Sequence, residues 1–232
     1  MLYILFFCQC ILVLLSATAL VVILRHRMIS RDLSSSLSQC ITIPELVDRM
    51  HPGDIVYMCS RKLAWYDAYV AFLNVTGKTP YFHVFLVLPN YKMAHFVHSN
   101  YLPSLTSICD EHPESRVRSA DLYEYLSSRQ SSHPLYKIYR RTTTMTYEAY
   151  LSSCENTCHV GFAGLWHTLF SSSKKEKLHC NSFTGLMLQK IGLLPSALLS
   201  CSNPNKEFTP FKMQTKYLGE AGYDCTGIFY TT

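Results

Sequence analysis

Three kinds of apolar stretch run along the chain. The first is unbroken: Leu2 to Leu24 (LYILFFCQCILVLLSATALVVIL) carries no charge for 23 residues. As a helix it would be about 35 Å long, enough to cross a bilayer core of about 30 Å. A cleaved signal peptide would have Lys or Arg ahead of the apolar run, a shorter run, and a small-x-small cleavage site after it. None of these is present, so a membrane anchor over 1–24 is expected. Arg25, Arg27 and Arg31 follow directly, and positive charge beside a span favours the cytoplasmic side for what comes next. Residues 25–42, polar and Ser-rich from Ile29 to Gln39, read as a tether.

The second kind is short and rich in β-branched residues. Ile55-Val56-Tyr57-Met58 follows the turn Pro52-Gly53-Asp54. Phe82 to Leu88 (FHVFLVL) is a near-continuous apolar run, as in a strand covered on both faces. Pro89-Asn90 turns the chain toward Met93 to Ser99. Leu135 to Arg140 alternates, and Asp224 to Tyr230 makes a last strand. The third kind has helical spacing. Ile43 to Val47 has Pro44 in its first turn, and Leu63 to Leu73 suits a helix. Ser119 to Ser128 has Ser119 as its expected N-cap, and Leu178 to Ile191 places Phe183, Leu186, Met187 and Lys190 helically. Strands and helices are interspersed without strict alternation, which predicts an α+β domain over 43–232. No internal repeat is found.

Composition narrows the partners. The net charge of +5 is too weak to argue for nucleic acid, and no basic run is interleaved with aromatics. Ten cysteines are scattered without repeated spacing. They read as reduced and mostly buried, in keeping with a cytosolic domain. On that topology the sequon at Asn74-Val75-Thr76 goes unused. Cys154, Cys158 and His159 lack a second pair of zinc ligands, so no metal is expected, and nothing points to a cofactor.

One cysteine is placed for chemistry. Cys180 opens the last strong helix, where the dipole favours a thiolate, just after Lys174, Lys175 and Lys177. A thiol nucleophile also needs a base within reach and a group to orient that base. His83 interrupts an otherwise apolar strand, and burying it without a partner would be costly. His95 lies twelve residues on, in the next strand. A hairpin pivoting on Pro89 sets 83 and 95 opposite each other on one face. His98 has the other parity. His179 is the neighbour of Cys180, and adjacent residues at a helix start diverge.

Pro52-Gly53-Asp54-Ile55, His83-Val84-Phe85-Leu86-Val87-Leu88, His95 and Cys180-Asn181-Ser182-Phe183 occur in one order. This set resembles the circularly permuted branch of the NlpC-type papain-like superfamily. That branch holds lecithin:retinol acyltransferase, its phospholipid acyltransferase relatives, and bacterial and large-DNA-virus proteins. Thr209-Pro210 is similar to a turn that follows the cysteine helix in the viral and bacterial members. The chain departs from the acyltransferases in having Asn181-Ser182 after the cysteine and an N-terminal anchor. The resemblance covers about residues 50–230 and implies a permuted papain-like fold with an antiparallel sheet packed on the cysteine helix. It also implies catalysis by Cys180, His83 and His95. Cys180 attacks an acyl carbon, His83 takes the proton, His95 orients His83, and the main-chain N–H of Cys180 steadies the oxyanion. Phe85 and Val87 are then expected to bury against Phe183 and Met187. The function expected is a membrane-anchored thiol hydrolase or acyltransferase working on a lipid ester or amide, or on a peptide amide. The alternative is a membrane-tethered module that keeps the fold for binding.

Overall fold

The computed structural model describes residues 2–62, 78–81, 83–89, 92–96, 106–107, 117–143, 149, 152, 161–162, 177–195 and 204–231. The expected helix over Leu63 to Leu73, the sequon at Asn74, His98, and Cys154, Cys158 and His159 lie outside the described residues.

The fold is mixed α+β. Helix α1 (Leu2–Leu33) leads into strand β1 (Ser38–Cys40) and helix α2 (Ile43–Arg49). Strands β2 (Ile55–Ser60), β3 (His83–Leu88), β4 (Lys92–Phe96), β5 (Thr106–Ser107) and β6 (Val117–Asp121) follow. Next come α3 (Leu122–Arg129), β7 (Pro134–Arg141), and a small parallel pair, β8 (Gly161–Phe162) with β9 (Lys177–Leu178). Helix α4 (Cys180–Lys190) carries the candidate nucleophile. Helix α5 (Pro204–Glu207) precedes α6, whose consecutive segments are Pro210–Lys212, Met213–Tyr217 and Leu218–Glu220, the middle one π-wound. The chain's last strand is β10 (Tyr223–Tyr230). Among the described residues the main sheet has the order β1-β10-β7-β2-β3-β4-β6-β5, with only the β1–β10 pairing parallel.

The apolar runs arise because both faces of the central strands are covered. Ile55, Tyr57, Val84, Leu86, Leu88 and Tyr139 join one core with Cys180, Phe183, Met187 and Leu188 of α4. Val56, Met58, Phe85, Val87, Tyr136 and Ile138 join the other core with Leu46 of α2 and Tyr125 of α3. Alternation along each strand sorts the two sets. The residues of β3 that meet α4 are therefore Val84, Leu86 and Leu88. The expectation that Phe85 and Val87 pack on Phe183 and Met187 is corrected, because α4 lies on the opposite face. An all-apolar strand gives no parity signal to decide this in advance.

Several local devices explain the elements. Thr42 caps α2 and forms a capping box with Glu45, with Pro44 in the first turn. Asp121, not Ser119, caps α3, accepting from the Glu124 N–H at 2.9 Å. Residues 117–121 are held as a strand by pairing with β4, so the helix starts later than expected. Thr209 caps α6 by accepting from the Lys212 N–H. Gly53 takes φ +92° in the turn before β2, a conformation that costs glycine little.

The motif's Asp54 has a structural task. It is 1% exposed, and Arg140 of β7 grips it with Nε at 2.8 Å and Nη2 at 2.7 Å. It also accepts from the His51 N–H at 2.8 Å, closing the turn. Asp54→Ala should cost about 2–3 kcal/mol, because it removes the charge-assisted hydrogen bonds to Arg140, which stays partly exposed and bonded to the Arg49 carbonyl, and opens the turn. Urea unfolding checks this, and a loss under about 1 kcal/mol would contradict it.

The stretch 25–33 corrects the tether. Instead of a loose linker, α1 runs on to Leu33. Arg25, Ile29 and Asp32 are buried at helical spacing, with Val21, Leu24, Met28 and Leu33 partly covered on the same stripe. Arg25 donates to the Ser60 carbonyl, and the Tyr81 hydroxyl donates to Asp32 at 2.8 Å. Helix α1 is long and apolar enough to cross a membrane, and no residue of its most apolar window is buried by the rest of the protein.

Candidate active site

The site is built where α4 starts against β3. His179 precedes the helix and caps it, its Nδ1 accepting from the Ser182 N–H at 3.2 Å. Its Nε2–H donates to the Asn205 carbonyl at 3.1 Å, which fixes the neutral tautomer. Burial, the largest effect, pushes the ring down to about 4. With both nitrogens engaged, His179 serves the helix start and is not free to serve the thiol.

Cys180 is 8% exposed. Its sulfur accepts from Asn181 Nδ2 at 3.6 Å, and the main-chain N–H groups of Val84, Asn181 and Cys180 favour its thiolate. The Val84 contact follows from the ladder. Val87 exchanges hydrogen bonds with Gly53 and Asp54, on the β2 side. By alternation Val84 turns its N–H toward the β4 side. There the β3–β4 pairing runs from Leu88 opposite Lys92 to Phe85 opposite His95, and the sulfur sits just beyond its end.

Burial outweighs these donors and pushes the Cys180 thiol up to about 11. A helix dipole contributes at most about 1 kcal/mol at an ordinary site. A net rise of two units corresponds to about 3 kcal/mol. Burial thus acts against the ready thiolate expected from the helix start alone. Alkylation follows: exposed Cys40 should react well before Cys180 at pH 7. The Cys180 rate should climb up to about pH 10 without a plateau, because only about one thiol in ten thousand is ionised at pH 7. Rate-resolved iodoacetamide labelling checks this, and a plateau near neutrality would contradict it.

The candidate bases are placed as follows. His83 opens β3 opposite Met58. Its ring lies 6.4 Å from that of Phe85 and 6.5 Å from that of Tyr125, on the α3 side of the sheet. Burial first, and the Arg129 charge second, push it down to about 3, so it is neutral at pH 7. The β3 backbone passes between this ring and Cys180. The His95 backbone stands opposite Phe85 rather than opposite His83, two residues from the expected register. Its side chain lies outside the described part. The structure therefore brings Cys180 to the residue that follows His83, with the His83 ring directed to the other face.

Two groups near the thiol have no sequence signature. Tyr57 stands opposite Val84, is 0% exposed, and shares the Cys180 face. Among the described residues its hydroxyl has no hydrogen-bond partner, and neither has Asn181 Oδ1. Burial, with smaller contributions from Tyr139 and Cys180, raises Tyr57 far above its usual range. A buried hydroxyl with nothing to bond costs about 1–3 kcal/mol, so this donor stands ready for an acceptor. No group of three or more His, Cys, Asp or Glu suited to a metal occurs among the described residues.

No family model, no curated protein and no solved structure matches this chain.

Proposed function

We propose that the protein is a membrane-anchored thiol hydrolase or acyltransferase with Cys180 as nucleophile. Its substrates would be lipid esters or amides, or peptide amides. The observation that carries the reading is the place of Cys180 at the start of α4, its sulfur accepting from Asn181 Nδ2 at 3.6 Å, with the main-chain N–H groups of Val84, Asn181 and Cys180 favouring the thiolate. Such donors stabilise a thiolate and then the oxyanion formed after attack. Asn181 Nδ2 and the Tyr57 hydroxyl are the further donors at hand. His83 is the proposed base and His95 its orienting partner. For this the His83 ring must leave the α3 face of β3 to reach the sulfur. The thiol proton passes to the imidazole, the sulfur bonds to the acyl carbon, and the leaving group takes up that proton. Water or an acceptor hydroxyl or amine then breaks the thioester.

A second reading has its own observation. The His83 ring on the far face and the neutral, buried thiol suit a module that keeps the fold for binding. A panel of thiol-directed acyl probes, applied to the full chain, separates the two. Covalent label on the Cys180 peptide, removed by Cys180→Ser, supports the enzyme. Probe-resistant Cys180 in a chain that still binds acyl lipid supports the binding module.

A further inference from the structure

We propose that α1 and the sheet form one rigid body that holds the Cys180 end of the sheet against the surface of the bilayer that α1 crosses. The inference rests on the anchor part of the function proposed above and not on any chemistry at Cys180.

The stripe Arg25, Ile29 and Asp32 fixes the helix to the domain. Ile29 belongs to the same buried core as Cys180. Arg25 is 5% exposed and Asp32 is 7% exposed. Each is held by a group in or beside the central strands, Ser60 for Arg25 and Tyr81 for Asp32. Pulling this helix end away would leave a guanidinium, a carboxylate and a phenol without these partners, a strongly unfavourable change. The stripe reaches back to Val21 and Leu24, so the cover begins within the apolar stretch itself.

The strand registers say which end of the sheet this is. Ser60 ends β2 and pairs with Pro134, which starts β7. His83 starts β3, and Tyr230 ends β10 opposite Leu135. These termini lie together at the end where Arg25 meets Ser60. The opposite end carries His51, Gly53 and Asp54 beside Val87. Cys180 touches Val84, whose partner on β2 is Tyr57. Tyr57 precedes Ser60 by three residues, so the thiol lies about 10 Å along the strands from the level of Arg25. Arg25 is the first charge after the apolar stretch. The thiol is thereby held within a lipid headgroup's reach of the membrane, and exposed Arg27, Arg31 and Lys62 suit an anionic surface. The partner of this end is the lipid surface itself.

The test places an environment-independent fluorescent amino acid at Lys62, and separately at His51, in the full chain. Each protein is reconstituted into bilayers of phosphatidylcholine and phosphatidylserine that carry a headgroup quencher. Strong quenching at position 62 and little at position 51, about 20 Å farther away along the strands, is the expected result. A flexible Gly-Ser insert between Leu24 and Arg25 gives up the partial cover of Val21 and Leu24 but leaves Arg25, Ile29 and Asp32 docked on the domain. It should abolish the difference. Equal quenching at both positions before the insertion, or a difference that survives it, overturns the rigid placement. Release of the chain from the vesicles by alkaline carbonate overturns the anchor as well, and so marks the failure of that reading separately.

Discussion

On the proposed chemistry, Cys180→Ser should lower acyl-ester turnover by about ten-thousand-fold or more, while the protein stays folded. Losing a covalent nucleophile has effects of this size in hydrolases that work as a unit. A serine hydroxyl at that position would have the Val84 and Asn181 N–H groups but no base strong enough to ionise it. Cys180 is buried between α4 and β3, so the swap also places a hydroxyl in an apolar setting. A small stability loss, about 1 kcal/mol, is expected from that and is separable by thermal unfolding. Turnover is measured on a short-chain acyl ester with the full chain in bilayers. Retention of a tenth of the wild-type rate would move the nucleophile elsewhere.

The second large effect is on stability in acid. His83 and His179 are both held neutral, at about 3 and about 4, chiefly by burial. Free histidine protonates near 6.5, so below that pH the unfolded chain binds protons that the folded one does not. Stability is therefore complete above about pH 6.5 and falls as the pH drops toward the folded values. The slope is at most about 2.7 kcal/mol per pH unit for the two rings together. Both rings keep some solvent contact, and water reaching them reduces it. The two rings together remove at most about 4 kcal/mol by about pH 5 and about 6 kcal/mol by about pH 4. With a total stability of about 5–15 kcal/mol, the urea midpoint should fall steadily below about pH 6.5, and unfolding without denaturant belongs near pH 4 or below. His179→Asn keeps an N-cap oxygen for the Ser182 N–H and removes one titrating ring. It should roughly halve the slope in urea melts at pH 4–6.5. An unchanged slope, or stability that rises on acidification, would contradict the assignment.

What the sequence disclosed, and what it hid, depends on which forces act locally. The strands at 55 and 83 were legible because burial on both faces writes itself as apolar runs. The same property hid which face of β3 meets α4. Phe85 and Leu86 look alike in sequence, yet one packs on Tyr125 and the other joins the Cys180 core. The end of α1 was misread for the opposite reason. Arg25 and Asp32 are charged and so read as solvated, but each has a distant partner, Ser60 or Tyr81, that only the fold brings close. Cys180 was legible from its place at a helix start. The rise of its pKa was not, because desolvation is a property of the packed core and not of the neighbouring residues. Tyr57 was read as an ordinary strand residue. Its orphaned hydroxyl is visible only once Val84 and Cys180 stand beside it.

The central claim is that Cys180 forms a thioester with an acyl group taken from its substrate. The most direct measurement is the intact mass of the full chain after incubation in bilayers of acyl lipids, followed by peptide mapping. The account predicts an acyl-sized increment on the peptide containing Cys180 that hydroxylamine removes at neutral pH and that is missing in Cys180→Ser. Turnover of the lipid with no adduct at Cys180, or with the adduct on another residue, would contradict it.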